Sequence, residues 1–206
     1  SEANTQIFTG DPDARKAQRK RVGGPLIHEE LEARIVDPDT GEPLSAGERG
    51  ELLLAGYNVM REYLGKPEAT AEAIDTDGWL HTGDLCERDE SDNLYFHSRL
   101  GDALRVRGFL VSPREIETAI DAHEAVSLSQ VVGAPHSRHG QVPVAFVKST
   151  EPLESDDLLA FLEERVADYK VPQAVEFVDE FPRTEGPHGA KIQRHVLEEQ
   201  VADRYT

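Results

Sequence analysis

At 206 residues, with 38% apolar and 30% charged side chains, the chain is long enough for one large domain or two small ones and apolar enough to bury a core. Its 40 acidic residues against 22 basic ones leave a formal charge of −18, a field that repels phosphate backbones and anionic bilayers, so nucleic acid and lipid surfaces are not expected partners. The single cysteine, Cys86, excludes an internal disulfide and a multi-thiolate metal site, and no apolar run approaches the length that crosses a bilayer.

Only six basic residues are lysines (Lys16, Lys20, Lys66, Lys148, Lys170 and Lys191), a balance that fits either a high-salt cytoplasm or a merely acidic protein. The first residues lack both the basic start and the apolar stretch of a signal peptide, so a reducing cytoplasm is the expected setting. The absence of an initiating Met reads as a start inside a longer gene product.

In chain order, residues 11–22 are polar and read as an exposed loop. Strand-like runs follow at Leu31 to Val36 and Gly50 to Gly56, joined into a hairpin by the turn chemistry of Asp37-Pro38-Asp39-Thr40-Gly41. A second hairpin is expected between residues 85–88 and 93–97. Residues 1–98 therefore read as a mostly β unit, a small distorted barrel-like subdomain. The pattern changes near residues 98–102. Ser112-Pro113-Arg114-Glu115 carries a capping-box signature that starts a helix, and strands are expected over 128–132, 142–147 and 174–178. A helix capped by Ser155-Asp156-Asp157 and a terminal helix over 192–202 complete a compact α+β domain spanning residues 99–206.

Three side chains could carry chemistry. Asp84, after Thr82-Gly83, stands where a carboxylate can accept hydrogen bonds from two vicinal hydroxyls, although an aspartate in a turn more commonly caps its own backbone. Arg99 offers a planar donor fork for ribose or phosphate oxygens, or a surface ion pair, and its separation of 15 positions from Asp84 suffices for a strand-turn-strand that returns it there. Lys191 follows a loop with two glycines and a proline that could carry it into a site, where an ammonium neutralises charge building on phosphoryl and carboxylate oxygens.

Taken in order, Gly50-Glu51-Leu52-Leu53-Leu54, Gly56, Tyr63, Glu68-Ala69-Thr70, Trp79-Leu80-His81-Thr82-Gly83-Asp84-Leu85, Arg99, Gly108, Ser112-Pro113-Arg114-Glu115-Ile116-Glu117, Tyr169-Lys170-Val171-Pro172 and Gly189-Ala190-Lys191-Ile192-Gln193-Arg194 resemble the nucleotide-binding and hinge elements of adenylate-forming enzymes. That family includes acyl-CoA synthetases, luciferases and peptide-synthetase adenylation domains. The resemblance implies that Asp84 and Arg99 bind the nucleotide, that Lys191 serves adenylation, and that Gly108 and Phe109 belong to a turn helping to form a pantetheine tunnel. It further implies a hinge at Gly101 and Asp102, a role in the second half-reaction for Arg105, and a magnesium ligand in Glu2. ATP, Mg²⁺, CoA and a fatty or aryl carboxylic acid are the implied partners, by way of an acyl-adenylate and then a thioester. Gly101 replaces the hinge Asp or Lys usual in the family, Arg105 replaces a lysine of some members, and Glu185-Gly186-Pro187-His188 reads as an insertion. The family's phosphate loop and acyl pocket are missing from this stretch. The expectation is therefore the C-terminal portion of an acyl-CoA synthetase, inactive alone and prone to self-association, with a non-catalytic adenylate- or partner-binding module as the rival and another branch of the family as a second alternative.

Overall fold

The computed structural model describes residues 2–3, 23–24, 26, 29–184 and 190–204, so the loop expected over 11–22 and the insertion at 185–188 lie outside the described residues. The chain divides into two units, Ser1–Gly101 and Asp102–Thr206.

The first unit is built on one antiparallel sheet in the order β1-β5-β4-β3-β2. Its strands are β1 (Gly23–Gly24), β2 (Glu32–Val36), β3 (Arg49–Ala55), β4 (Leu80–Arg88) and β5 (Leu94–Arg99). Among the described residues the sheet is not closed into a barrel: two-residue β1 lies at one edge and β2 at the other, and the two do not pair. Successive side chains of β3 point to opposite faces. Leu52 and Leu54 join Ile35, Leu80, Cys86 and Leu94 in the larger cluster, whereas Leu53 packs with Val36 and Trp79 on the other face. The guanidinium of Arg34 lies 3.9 Å over the Trp79 ring.

Both hairpins expected in this unit form, each nucleated by an aspartate that folds the chain onto its own carboxylate. Asp37 accepts the backbone N–H groups of Asp39 and Thr40, and Asp89 accepts those of Ser91 and Asn93 together with the Tyr95 hydroxyl. A short helix, α1 (Pro67–Ala73), has Pro at its start and no buried residue, so no apolar periodicity marks it in the sequence.

Burial pushes the Cys86 thiol up to about 12, with the charge of Asp84 adding to the effect. At pH 8 a disulfide reagent is expected to label the native thiol about 10³-fold more slowly than the urea-unfolded chain. Equal rates would show that this face opens readily.

The second unit is a sheet sandwiched between helices. Its strands are β6 (Leu104–Val106), β7 (Phe109–Val111), β8 (Val126–His136), β9 (Gly140–Ser149) and β10 (Ala174–Phe177). β8 pairs antiparallel along β9 from Gly140 to Ser149, while β10 runs parallel to β9 over Val144–Val147 and β6 meets it at Gly140. β9 is consequently buried on both faces, which is why it reads as a nearly continuous apolar run. Ala145 and Val147 face Ile116, Ile120, Leu158 and Leu162 of α2 (Pro113–Ile120) and α3 (Ser155–Glu163). Val144 and Phe146 face Leu197 and Val201 of α4 (Arg194–Val201), together with Phe181. A two-residue ladder, β11 (Arg183–Thr184) with β12 (Lys191–Ile192), precedes α4, so the terminal helix starts two residues later than expected.

Of the capping box expected at α2, the arm from the Ser112 side chain is not formed. Ser112 stands at the N-cap with Pro113 next, yet makes no side-chain cap bond to the helix. The Glu115 carboxylate receives the Lys170 ammonium at 2.7 Å. Two residues on, Glu117 is buried on the inward face beside Ile116 and Ile120. Its Oε1 accepts the Val131 N–H at 3.1 Å and Arg194 Nη1 at 3.1 Å, and Arg194 Nη2 also donates to the Val131 carbonyl, tying α2, β8 and α4 together.

Candidate functional site

β4 does not run evenly past β3. Glu51 lies opposite Leu85 and Leu53 opposite His81, so Thr82, Gly83 and Asp84 are fitted into a bulge across Leu52. Gly83 adopts φ +66°, and nothing lies within 4 Å of the point where a side chain would begin. A ligand can therefore approach this backbone closely. With no ladder partner on β3, the segment is held by side chains. Thr82 Oγ1 donates to the Leu52 carbonyl at 2.7 Å and accepts the Asp84 N–H at 3.1 Å. Glu51 Oε1 accepts the Gly83 N–H at 3.1 Å, while its Oε2 lies 3.0 Å from His81 Nδ1.

The strand pairing places Arg99 directly opposite Asp84. Arg99 Nη1 donates to the Thr82 carbonyl at 3.0 Å and lies 2.8 Å from Asp84 Oδ1. That oxygen sits off the N–H directions, so it has a close ion-pair contact but no aligned hydrogen bond. Burial raises the Asp84 carboxyl above its ordinary value, Arg99 opposes the rise, and Glu51 adds to it. A carboxyl raised on folding costs stability at neutral pH, and the cost is relieved as pH falls through the raised value. Asp84 is thus a carboxylate held against its own solvation, with acceptor capacity that a ligand hydroxyl can use.

Glu2 sits in the same unit. Its carboxylate accepts the Tyr63 hydroxyl at 2.7 Å, its carbonyl accepts the Met60 N–H, and the next residue, Ala3, bridges to Val59. The Tyr63 bond holds the Glu2 carboxyl below its ordinary value, and the positive charge of Arg99 acts in the same direction. Among the described residues no group of three or more His, Cys, Asp or Glu side chains could hold a metal ion. Glu2 offers a single hard carboxylate, a donor set that suits a magnesium ion otherwise bound by phosphates and water.

In the second unit, Gly108 closes the β6–β7 hairpin. Arg107 at φ +52° and Gly108 at φ +86° are both left-handed, as a tight two-residue turn requires. Phe109 is exposed and stacks on Tyr169, with ring centroids 4.6 Å apart. Arg105 is an exposed residue of β6 whose backbone N–H donates to the Gln141 amide oxygen at 2.8 Å. Near the same turn His136 and His139 stack at 4.6 Å, and the Arg107 N–H donates to the His139 carbonyl. The imidazole of His139 is held low by desolvation and then by the charges of His136, Arg107 and Arg138. Lys191 is exposed on β12, opposite Thr184. Gly101 and Asp102 end a 3-10 turn, Leu100–Asp102, and stand on either side of the division between the units.

The structure therefore brings Asp84 and Arg99 together, along with two residues that sequence reasoning did not single out, Glu51 and His81, and it sets Tyr63 against Glu2. A signal for Glu51 was present, since an acidic residue within the apolar run of β3 needs partners of its own. Tyr169 and Lys170, which entered the sequence reading only as part of the family pattern, also support the Phe109 turn and the start of α2.

An open sheet carrying a bulged, desolvated carboxylate beside an arginine, followed by a helix-sandwiched sheet with a lysine-bearing ladder, is the architecture of adenylate-forming enzymes. Residues 1–64 match the AMP-binding enzyme family model, and residues 115–186 match that of the AMP-binding enzyme C-terminal domain. The chain belongs to this family. It is 41% identical over 175 residues to 4-coumarate--CoA ligase 1 of Arabidopsis thaliana, covering 84% of this chain and 30% of that protein. A 3-[(3aS,4S,7aS)-7a-methyl-1,5-dioxo-octahydro-1H-inden-4-yl]propanoyl:CoA ligase of Rhodococcus jostii is 43% identical over 162 residues, covering 78% of this chain and 31% of that protein. Among solved structures, o-succinylbenzoate CoA synthetase from Bacillus subtilis, in complex with the acyl-adenylate intermediate OSB-AMP, matches with a TM-score of 0.77 at 30% identity, over 94% of this chain and 38% of that one. The chain spans about a third of the length of the curated relatives it matches.

Proposed function

We propose that this chain supplies the ribose-gripping and lysine-bearing part of an ATP-dependent acyl-CoA synthetase. In the first half-reaction a carboxylate oxygen attacks the α-phosphorus of ATP, forming acyl-AMP and releasing pyrophosphate. In the second, the thiol sulfur of CoA attacks the acyl carbon, its proton is lost, and AMP leaves with the electron pair of the broken C–O bond. The reading is carried by one observation: Asp84 and Arg99 stand in register across β4 and β5, with the Asp84 carboxylate desolvated and short of an aligned donor. A vicinal diol satisfies both of its oxygens, and Arg99 can turn its fork to the nucleotide's oxygens.

Lys191 then acts on the forming acyl-phosphate bond, and Glu2 would hold magnesium. Gly101 and Asp102 serve as the pivot of the second unit, Gly108 and Phe109 flank the incoming pantetheine, and Arg105 acts in thioester formation. The cations around the Gly108 turn suit an anionic thiol carrier such as CoA. Similarity to 4-coumarate--CoA ligases supports an aryl-bearing carboxylate as the substrate class.

The test has two arms. The chain should bind AMP, and Asp84→Ala should weaken that binding by about 10–100-fold, the loss expected for charge-assisted hydrogen bonds. Alone it should not exchange pyrophosphate into ATP, whereas joined to the N-terminal region that its relatives carry it should. Unchanged AMP affinity in Asp84→Ala would remove the basis of the reading.

A further inference from the structure

Within the bulge that carries Asp84, Thr82 Oγ1 bonds both the Asp84 N–H and the Leu52 carbonyl, and the Arg99 side chain is 65% exposed and able to rearrange around a ligand. Glu51 differs from both. Its side chain is 12% exposed, it belongs to the neighbouring strand, and both of its carboxylate oxygens are spent on the bulge: one on the Gly83 N–H and the other on His81 Nδ1. A carboxylate placed mid-strand between buried Gly50 and Leu52 carries a desolvation cost that such bonds must offset. The Gly83 N–H that it holds belongs to the Thr82–Gly83 peptide, whose carbonyl accepts Arg99 Nη1, so Glu51 fixes the tilt of the backbone that leads through Gly83 to Asp84.

We infer that Glu51 is the positioning residue for Asp84, a clasp that fixes the Gly83 peptide and the His81 ring so that the Asp84 carboxylate meets both ribose hydroxyls. The inference rests on the ribose reading given above. Glu51 touches no ligand itself in this scheme. His81 serves as the outer brace, half-exposed on the far side of the Glu51 carboxylate.

The measurement is the ratio of affinities for AMP and 2′,3′-dideoxy-AMP, obtained by calorimetric or NMR titration of the full 206-residue chain. The unaltered chain is expected to prefer AMP by about 10–100-fold, because two hydroxyls bond to a charged acceptor. Glu51→Ala should reduce the preference to within about threefold, because the freed Gly83 peptide no longer aims the acceptor. Glu51→Gln should restore the preference, since its amide oxygen still accepts the Gly83 N–H and its amide nitrogen can donate to His81. Simple loss of stability moves both affinities together and leaves the ratio intact, so the ratio separates positioning from folding. A Glu51→Ala chain that keeps the preference overturns the inference while leaving the ribose reading in place, and so does a Glu51→Gln chain that behaves like Glu51→Ala. An unaltered chain without any preference overturns the ribose reading itself. Should Glu51→Ala fail to fold, Glu51→Asp, one methylene too short to reach both partners, reads the same ratio.

Discussion

Replacing Arg194 with methionine is expected to destabilise the second unit by about 3–5 kcal/mol, the usual cost of stripping a partner from a buried ion pair. The Glu117 side chain is 3% exposed, and Arg194 supplies its aligned charged donor at 3.1 Å. Methionine keeps the apolar stem of Arg194 and removes only the fork, leaving the carboxylate with the Val131 N–H. Arg114 offers little relief, since it lies 3.7 Å from the other oxygen on a side chain that is 72% exposed. For a domain of this size each kcal/mol moves the melting midpoint by about 4–8 °C, so thermal and urea unfolding both read the effect. The Glu117→Met/Arg194→Met pair should recover much of the loss, because a well-packed apolar pair no longer strands a charge. A single Arg194→Met cost below about 1 kcal/mol would show that the buried carboxylate finds another partner.

The largest functional effect is expected at Lys191. In an enzyme completed by the N-terminal region of its relatives, Lys191→Ala should slow acyl-adenylate formation by about 10²–10³, the loss typical when a charge-stabilising donor is removed from a transition state. Thioester formation from supplied acyl-AMP should be largely spared, because that step no longer builds charge between the phosphoryl and carboxylate oxygens. ATP–pyrophosphate exchange measures the first effect and thiol consumption the second. Equal loss of both would contradict the role. Lys191 stands on a two-residue ladder with an exposed side chain, so its removal should leave the melting midpoint within about 1 °C of the parent.

How far the sequence could be read depended on whether a residue's partner lay nearby in the chain. The Asp37 and Asp89 turns and the apolar runs of β3 and β9 are local signals, and all were legible. The β6–β7 hairpin escaped because its tight turn is Arg107-Gly108, and an arginine in the left-handed region is not the Asn-Gly or Asp-Gly pair that announces such a turn. The parallel pairing of β10 with β9 could not be read, since periodicity states which face is buried but not which strand lies alongside. At the candidate site, Asp84 and Arg99 were found through their motif, while Glu51 was passed over because its bond to Gly83 spans 32 residues. Glu117 was more accessible than it looked. Pro113, Ile116, Glu117 and Ile120 fall at i, i+3, i+4 and i+7, which places a carboxylate on the buried stripe of α2 and calls for a cation elsewhere.

That cation arrives late. Arg194 follows Glu117 by 77 residues, so a ribosome adding about 5–20 residues each second makes Glu117 some 4–15 s before its partner. During that interval α2 and β8 can be drawn together by their apolar faces, but closing them would leave the carboxylate with the Val131 N–H and without the Arg194 cation. Closing the unit before Arg194 is made therefore carries the cost of a buried charge without its cation, so sealing at Glu117 is expected to follow delivery of the helix bearing Arg194.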